Sequence, residues 1–240
     1  VTLEQSALSS MKGTAQLSLN DNSELNELVR GGESSGDSET VHLVTLDECM
    51  EVHDWHTIEF LKVDAEGEEA NILRGGTRFF ATESPLVQYE IKARSELHFE
   101  LVQAFTELGY SSYRLVPGLN LLAPFDEKEP VDGFLLNLFC CKSDRAALLA
   151  ARGFLVETTA AQRLAEVHSN EVLGKLKGDQ ANSWFTALTK LPYGQICAEH
   201  WRETMAAGQS SEVESALLLY ALSRNISLTA DERFAALEES

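Results

Sequence analysis

Over the first 142 residues, short β-rich runs take turns with stretches of helical spacing. Thr14–Leu19 reads as a strand opening after the turn residue Gly13, and Val41–Leu46 as a second β-rich run. Residues 31–39 between them have loop composition. Ile58–Val63 is a stronger strand that ends in Asp64. Positions 68–80 carry helical spacing, with Ala70, Leu73 and Phe79 or Phe80 turned inward. Pro85–Ile91 is the next strand, with proline tolerated at its start. Ser95 stands as the N-cap of a helix through Leu108, and Gly109 as its C′ residue. Tyr113–Leu115 and Phe134–Cys141 give two more strands, separated by a loop with Pro117, Gly118, Pro124 and Pro130. With no helix between them, they are expected to form an antiparallel hairpin at one sheet edge. Strands alternating with helices of about a dozen residues predict an α/β sheet with parallel crossovers.

From residue 144 the pattern becomes helical throughout, with helices expected over 144–152, 158–176, 179–189, 195–207, 212–224 and 230–239. Ser211-x-x-Glu214 and Thr229-x-x-Glu232 both match the capping box. Val213, Ala216, Leu217 and Tyr220 form one apolar stripe, and Phe234 with Leu237 begins another. Short paired helices around a turn at Asn225 resemble one unit of a helical repeat. The expected organisation is therefore an α/β part over 1–143 and a helical module over 144–240, open to a protein partner.

Composition narrows the partners. The 240 residues are 44% apolar, enough for a sizeable core and long for one average domain. The net charge is −19, which repels phosphate backbones and anionic lipid alike and excludes non-specific nucleic-acid or membrane-surface binding. Residues 1–143 hold 10 basic and 25 acidic side chains, net −15; residues 144–240 hold 9 and 13, net −4. Cys49, Cys140, Cys141 and Cys197 lack zinc-finger spacing and read as buried reduced thiols, which points to a cytoplasmic setting. No apolar run of about 18 residues exists, and the polar, acidic amino terminus is no secretory signal. The chain opens on Val1 in strand-like sequence, so a start inside a domain is expected.

Chemistry concentrates in Phe60-Leu61-Lys62-Val63-Asp64-Ala65-Glu66-Gly67-Glu68-Glu69. A buried parallel strand should be nearly all apolar, yet Lys62 and Asp64 stand at i and i+2, on one face. Two readings stand for them: a functional pair, or a structural ion pair. Asp64 falls where the strand ends, and open α/β sheets bind ligands beyond the carboxyl ends of strands. Glu66, Glu68 and Glu69 crowd the next helix start, where the macrodipole favours acids; helix stabilisation is the simpler reading for Glu68 and Glu69. Gly67 marks a tight turn, with or without a ligand close by. His53-Asp54-Trp55-His56 reads as a polar turn rather than a metal site, and His98, His168 and His200 lack a third ligand in register, so no metal is expected. Hydrolase chemistry lacks a Gly-x-Ser-x-Gly elbow. Trp184, Phe185 and Trp201 read as core anchors of the helical part.

Thr45-Leu46-Asp47, the stretch Phe60–Glu69 and Ile72-Leu73-Arg74-Gly75 together resemble the hallmark of the FkbM-type methyltransferase family. Ser6-Ala7-Leu8-Ser9 with Gly13, Pro85–Glu90, Gly109-Tyr110 and Asn137-Leu138-Phe139 resemble its flanking positions, so the likeness spans roughly residues 1–142. It implies a class I, Rossmann-like methyltransferase sheet, here partial and followed by an all-helical segment. It implies S-adenosylmethionine as cofactor and methyl transfer to a hydroxyl oxygen of a sugar or natural product, the acceptor being a small molecule or glycan. The family's opening strand with an Asp-x-Gly-Ala-Asn-x-Gly turn, and its second strand ending in an acid, have no counterpart here. Gly31–Gly36 follows the wrong elements to replace them. The chain is thus expected to hold the later part of the catalytic domain.

The resemblance assigns roles. Asp64 would bind the cofactor's charged end or the acceptor hydroxyl. Lys62 would hold Asp64 or stabilise a developing oxyanion. Glu66 and Glu90 are candidate bases or acceptor-binding groups, and Ala7 and Leu8 would lie near the adenine. Two other readings compete: a degenerate, non-catalytic α/β scaffold carrying a helical interaction arm, and one part of a sugar-processing multidomain protein.

Overall fold

The computed structural model describes residues 3–20, 26–29, 37–93, 96–97, 99–157 and 222–240, with Thr189, Gly194–Ile196, Glu199, Glu203, Ala216, Leu219 and Tyr220. The chain divides into two compact units, 1–115 with 125–148, and 116–124 with 149–240.

In the first unit, a small sheet is built from β1 (Ser6–Leu8), β2 (Gly13–Ser18), β3 (Leu28–Val29) and β4 (Ser38–Val44), in the order β1-β4-β2-β3. β1 runs parallel to β4, and β2 is antiparallel to both β3 and β4. The strand expected from Gly13 is thus present, but β4 begins at Ser38, inside the expected loop. Cross-strand pairing of Ser38 and Glu39 with Ser18 and Leu17 overrides their loop composition. β4 also stops at Val44, before the expected end at Leu46. Thr45 Oγ1 accepts from the N–H of Glu48 at 3.1 Å and starts α1 (Leu46–Val52), a helix absent from the sequence reading.

The larger sheet runs β9-β11-β6-β5 within this unit, with β5 (Phe60–Val63), β6 (Leu86–Glu90), β9 (Ser111–Val116) and β11 (Asn137–Cys141). β5 and β6 are parallel, as predicted. β9 and β11 are antiparallel, also as predicted, but β11 lies between β9 and β6 and is antiparallel to both, so it is interior rather than at an edge. β10 (Leu121–Pro124) falls in the intervening segment. The single helix expected over 68–80 is two: α2 (Glu69–Arg74) and α3 (Thr77–Thr82), divided at Gly75-Gly76. Its inward set holds: Leu73, Phe79 and Phe80 are buried and Ala70 packs on them.

α3 takes its cap from elsewhere in the chain. The Asp47 carboxylate accepts from the N–H groups of Arg78 at 3.1 Å and Phe79 at 2.7 Å. Asp47→Ala strips both partners and is expected to cost about 2 kcal/mol, read as a lowered melting temperature with Asn recovering part of the loss.

The helix before Gly109 is α4 (Glu100–Glu107), which starts four residues later than a Ser95 cap would give. Two short strands, β7 (Lys92–Ala93) and β8 (Glu96–Leu97), pair before it and take up that chain; Ser95 itself lies outside the described residues. Gly109 follows α4 with φ +82°, the left-handed exit expected of it. Phe79, Phe80, Tyr89, Phe105 and Tyr110 fill the core as edge-on and tilted ring pairs, with centroids 4.7–5.9 Å apart. Cys49, Cys140 and Cys141 are free and buried, and burial raises each thiol, Cys141 to about 11. Cys197 lies outside the described residues.

α5 (Ser143–Ala151) matches the expected helix at 144–152. In the second unit, Val116, Leu119, Leu121, Ala123 and Val156 pack with Ala230 and Phe234 of α6 (Ala230–Glu238). α6 opens with the predicted capping box, Thr229 and Glu232 each serving the other's backbone N–H. The turn at Asn225 is present, its Oδ1 accepting from Ser227 N–H at 3.1 Å. The Arg233 guanidinium donates to the carbonyls of Ser223 and Leu119. The helix expected at 158–176, that at 179–189 except Thr189, and most of those at 195–207 and 212–224 lie outside the described residues, as do His98, His168, His200, Trp184, Phe185, Trp201 and the loop at Gly31–Gly36.

Candidate functional site

The site begins with strand direction. Among the described residues β1 and β5 are each the last strand on their side of a sheet, and each runs parallel to its neighbour. Both help line one cleft of about 540 Å³. Ala7 and Leu8 contribute from β1, and Lys62, Asp64 and Glu66 from β5 and the loop beyond its carboxyl end. Leu46 of α1 and Ile72 of α2 add apolar surface, and Glu27 and Glu68 add two more carboxylates. Five of the six singled-out residues therefore meet. Glu90 does not line the cleft; it ends β6 one position past the Val63–Tyr89 pairing, and its charge is felt at both Lys62 and Glu66.

Lys62 and Asp64 share a face, as the i, i+2 spacing requires, and are joined at 2.7 Å. The premise that they burden a buried strand does not hold. Among the described residues β5 is an edge strand, and the two side chains are 54% and 40% exposed, so solvent carries most of the cost. The hydrogen bond to Asp64, and then its charge, raise the Lys62 ammonium above its ordinary value.

The loop after Asp64 is held in a demanding conformation. Glu66 has φ +46° and Gly67 φ +100°, both left-handed. Only the glycine adopts this region without strain. The Glu69 carboxylate secures it by accepting from Ala65 N–H at 2.9 Å and Gly67 N–H at 3.0 Å. Glu69 thus stabilises the turn as well as starting α2. The Glu66 carboxyl is raised above its ordinary value, first by desolvation and then by the charges of Asp64 and Glu90.

Glu68 departs from the reading of a solvated helix-start acid. It is 6% exposed and does not cap α2. Its Oε2 accepts from Ser9 Oγ at 3.2 Å and from Asn71 Nδ2 at 2.9 Å. No sequence signal marked Glu27, which reaches the cleft through the β2–β3 pairing. The histidine turn is otherwise engaged: His56 meets Asp54 at 2.9 Å, and His53 stacks on Trp55 and meets Glu4 at 3.3 Å. Among the described residues no group of three or more His, Cys, Asp or Glu side chains is placed to hold a metal.

The first unit is an α/β domain with an acidic cleft beyond the carboxyl end of β5, the position where open α/β sheets bind ligands. Residues 3–112 match the family model described as the methyltransferase FkbM domain, and this part of the chain is similar to that family. No curated protein and no solved structure matches the chain.

Proposed function

We propose that the domain is an S-adenosylmethionine-dependent O-methyltransferase of the class I, Rossmann-like kind, acting on a hydroxyl of a sugar or natural product. The observation that carries this reading is the single cleft into which Ala7, Leu8, Lys62, Asp64 and Glu66 converge, within a matched methyltransferase domain. Its volume falls in the range of small-molecule sites. The carboxylates of Glu27, Asp64 and Glu66 against one ammonium favour a cationic ligand, and Leu8, Leu46 and Ile72 offer apolar surface to a flat ring. The cofactor is a sulfonium cation bearing an adenine, and suits that lining.

When bound, the cofactor supplies a methyl group already activated by its positive sulfur. Ala7 and Leu8 would pack against the adenine, and Asp64, steadied by Lys62, would hold the cationic end. Glu66, its carboxyl raised above its ordinary value by desolvation, takes the proton of the acceptor hydroxyl. The acceptor is a small molecule or glycan, because a net charge of −19 disfavours nucleic acid. The helical part is free to engage a protein partner. Buried free thiols suit a cytoplasmic protein, and among the described residues no helix is long and apolar enough to cross a membrane.

The test is transfer of labelled methyl from S-adenosylmethionine to a panel of hydroxyl acceptors, using the full open reading frame that contains this chain. Stabilisation by S-adenosylhomocysteine should accompany it. Neither signal at millimolar ligand would leave the non-catalytic scaffold. The pH profile gives a second check. A base must be ionised, so a raised Glu66 carboxyl moves the acidic limb of kcat/KM to higher pH. Glu90→Gln removes one of the charges that raise it, and is expected to move that limb back down.

A further inference from the structure

We infer that Glu68 is a positioning residue, whose buried carboxylate ties the β1 wall of the cleft to the loop bearing Asp64 and Glu66; the inference rests on reading this cleft as the cofactor site. Ser9 follows Leu8 directly, is 1% exposed, and donates its N–H to Val44 at 2.9 Å, so it is fixed to the small sheet. Glu68 follows Gly67 directly and donates its own N–H to Ala65 at 3.1 Å, so it is fixed to the β5–α2 turn. The bond from Ser9 Oγ to Glu68 spans 59 positions of sequence and joins these two walls.

A carboxylate 6% exposed is costly to bury. Stability alone is commonly served as well by an apolar side chain of similar size. The residue is also spared the ordinary duty of its position, since it makes no cap bond to α2. Asn71, one turn into α2, points its amide at the same Oε2 and fixes which way the carboxylate faces. The far end of α2 meets Ser9 again, where Gly75 lies against the Ser9 carbonyl. Ser9 is therefore the point on which the helix and its turn are registered to β1. Ala7 and Leu8 would touch one end of the cofactor and Asp64 and Glu66 the other. The Ser9–Glu68 bond sets the distance between them.

The experiment is calorimetric titration of S-adenosylhomocysteine into the full open reading frame and its variants, each held well below its own melting temperature. Glu68→Ala is expected to weaken binding about tenfold, and Ser9→Ala by a similar factor. The double variant should be no weaker than the poorer single one, because the two residues act as one unit. Glu68→Gln keeps a carbonyl oxygen for Ser9 and Asn71, and should bind within about threefold of wild type. Wild-type affinity in Glu68→Ala or in Ser9→Ala would overturn the inference, whatever happens to stability. So would a Glu68→Gln as weak as Glu68→Ala, which would mean that the charge itself contacts the ligand. Wild-type protein that takes up no ligand would overturn the cofactor reading itself, a result distinct from either.

Discussion

Gly75→Ala is expected to lower the melting temperature by about 10 °C, corresponding to about 3 kcal/mol of overpacking. Gly75 closes α2 at φ −81°, a conformation that alanine adopts freely, so the backbone itself raises no objection. The obstacle is space. A Cβ at this position would stand 2.1 Å from the carbonyl oxygen of Ser9, 3.1 Å from its carbonyl carbon and 3.2 Å from Ser10 Cα. All three are backbone atoms of the segment after β1, so no side chain can swing aside, and either α2 or β1 must move. Gly76→Ala should cost less, because there the close atoms belong to the side chains of Leu46 and Phe80. Gly133→Ala, where a Cβ meets nothing within 4 Å, is the control and should leave the melting curve unchanged. Thermal denaturation of the three variants decides the matter. A Gly75→Ala protein as stable as wild type would mean that helix and strand do not approach so closely. Because the same contact registers the two walls of the cleft, ligand affinity should fall with stability in this variant.

Asp64→Asn should do the reverse, removing activity by at least about a hundredfold while leaving the melting temperature within about 2 °C. The stability half of this expectation follows from exposure. The ion pair with Lys62 is more than a third open to water on both sides, and such pairs contribute about 0–1 kcal/mol. The activity half follows from position. Asp64 is the first residue past β5, lies in the cleft, and is the acid nearest Lys62, so asparagine keeps the shape and deletes the charge that faces a cationic ligand. Methyl transfer assays and melting curves on the same preparation separate the two effects. If transfer survives in Asp64→Asn, the residue is a surface ion-pair partner and the chemistry lies elsewhere in the cleft.

Much of the α/β unit was legible along the chain, for identifiable reasons. Ile58–Val63 and Pro85–Ile91 announce strands because β-branched and aromatic residues cluster between turn formers, and β5 and β6 lie inside them. The Thr229-x-x-Glu232 box is a local device, and it opened α6 as written. Thr45-x-x-Glu48 carries the same pattern and could have revealed α1, but the β-rich run just before it masked the helix start. The pair Gly75-Gly76 likewise announced the break between α2 and α3, which periodicity alone passed over.

The sequence by itself determined the class of unit, the strands and helices that carry strong local patterns, the net charge of −19, and the family model that residues 3–112 match. It also placed Asp64 at a strand end and put Lys62 on the same face, because both follow from the two-residue period of a strand. Tertiary structure alone decided the rest. It put β5 at a sheet edge, which turns a costly buried ion pair into a half-exposed one. It set β11 inside the sheet and brought Glu27 to the cleft. It also buried Glu68 against Ser9 instead of leaving it in water. These depend on which distant segments pair and pack, and no window of neighbouring residues contains that information. The physical reason is that burial and pairing partners belong to the assembled fold, whereas periodicity and capping belong to the local chain.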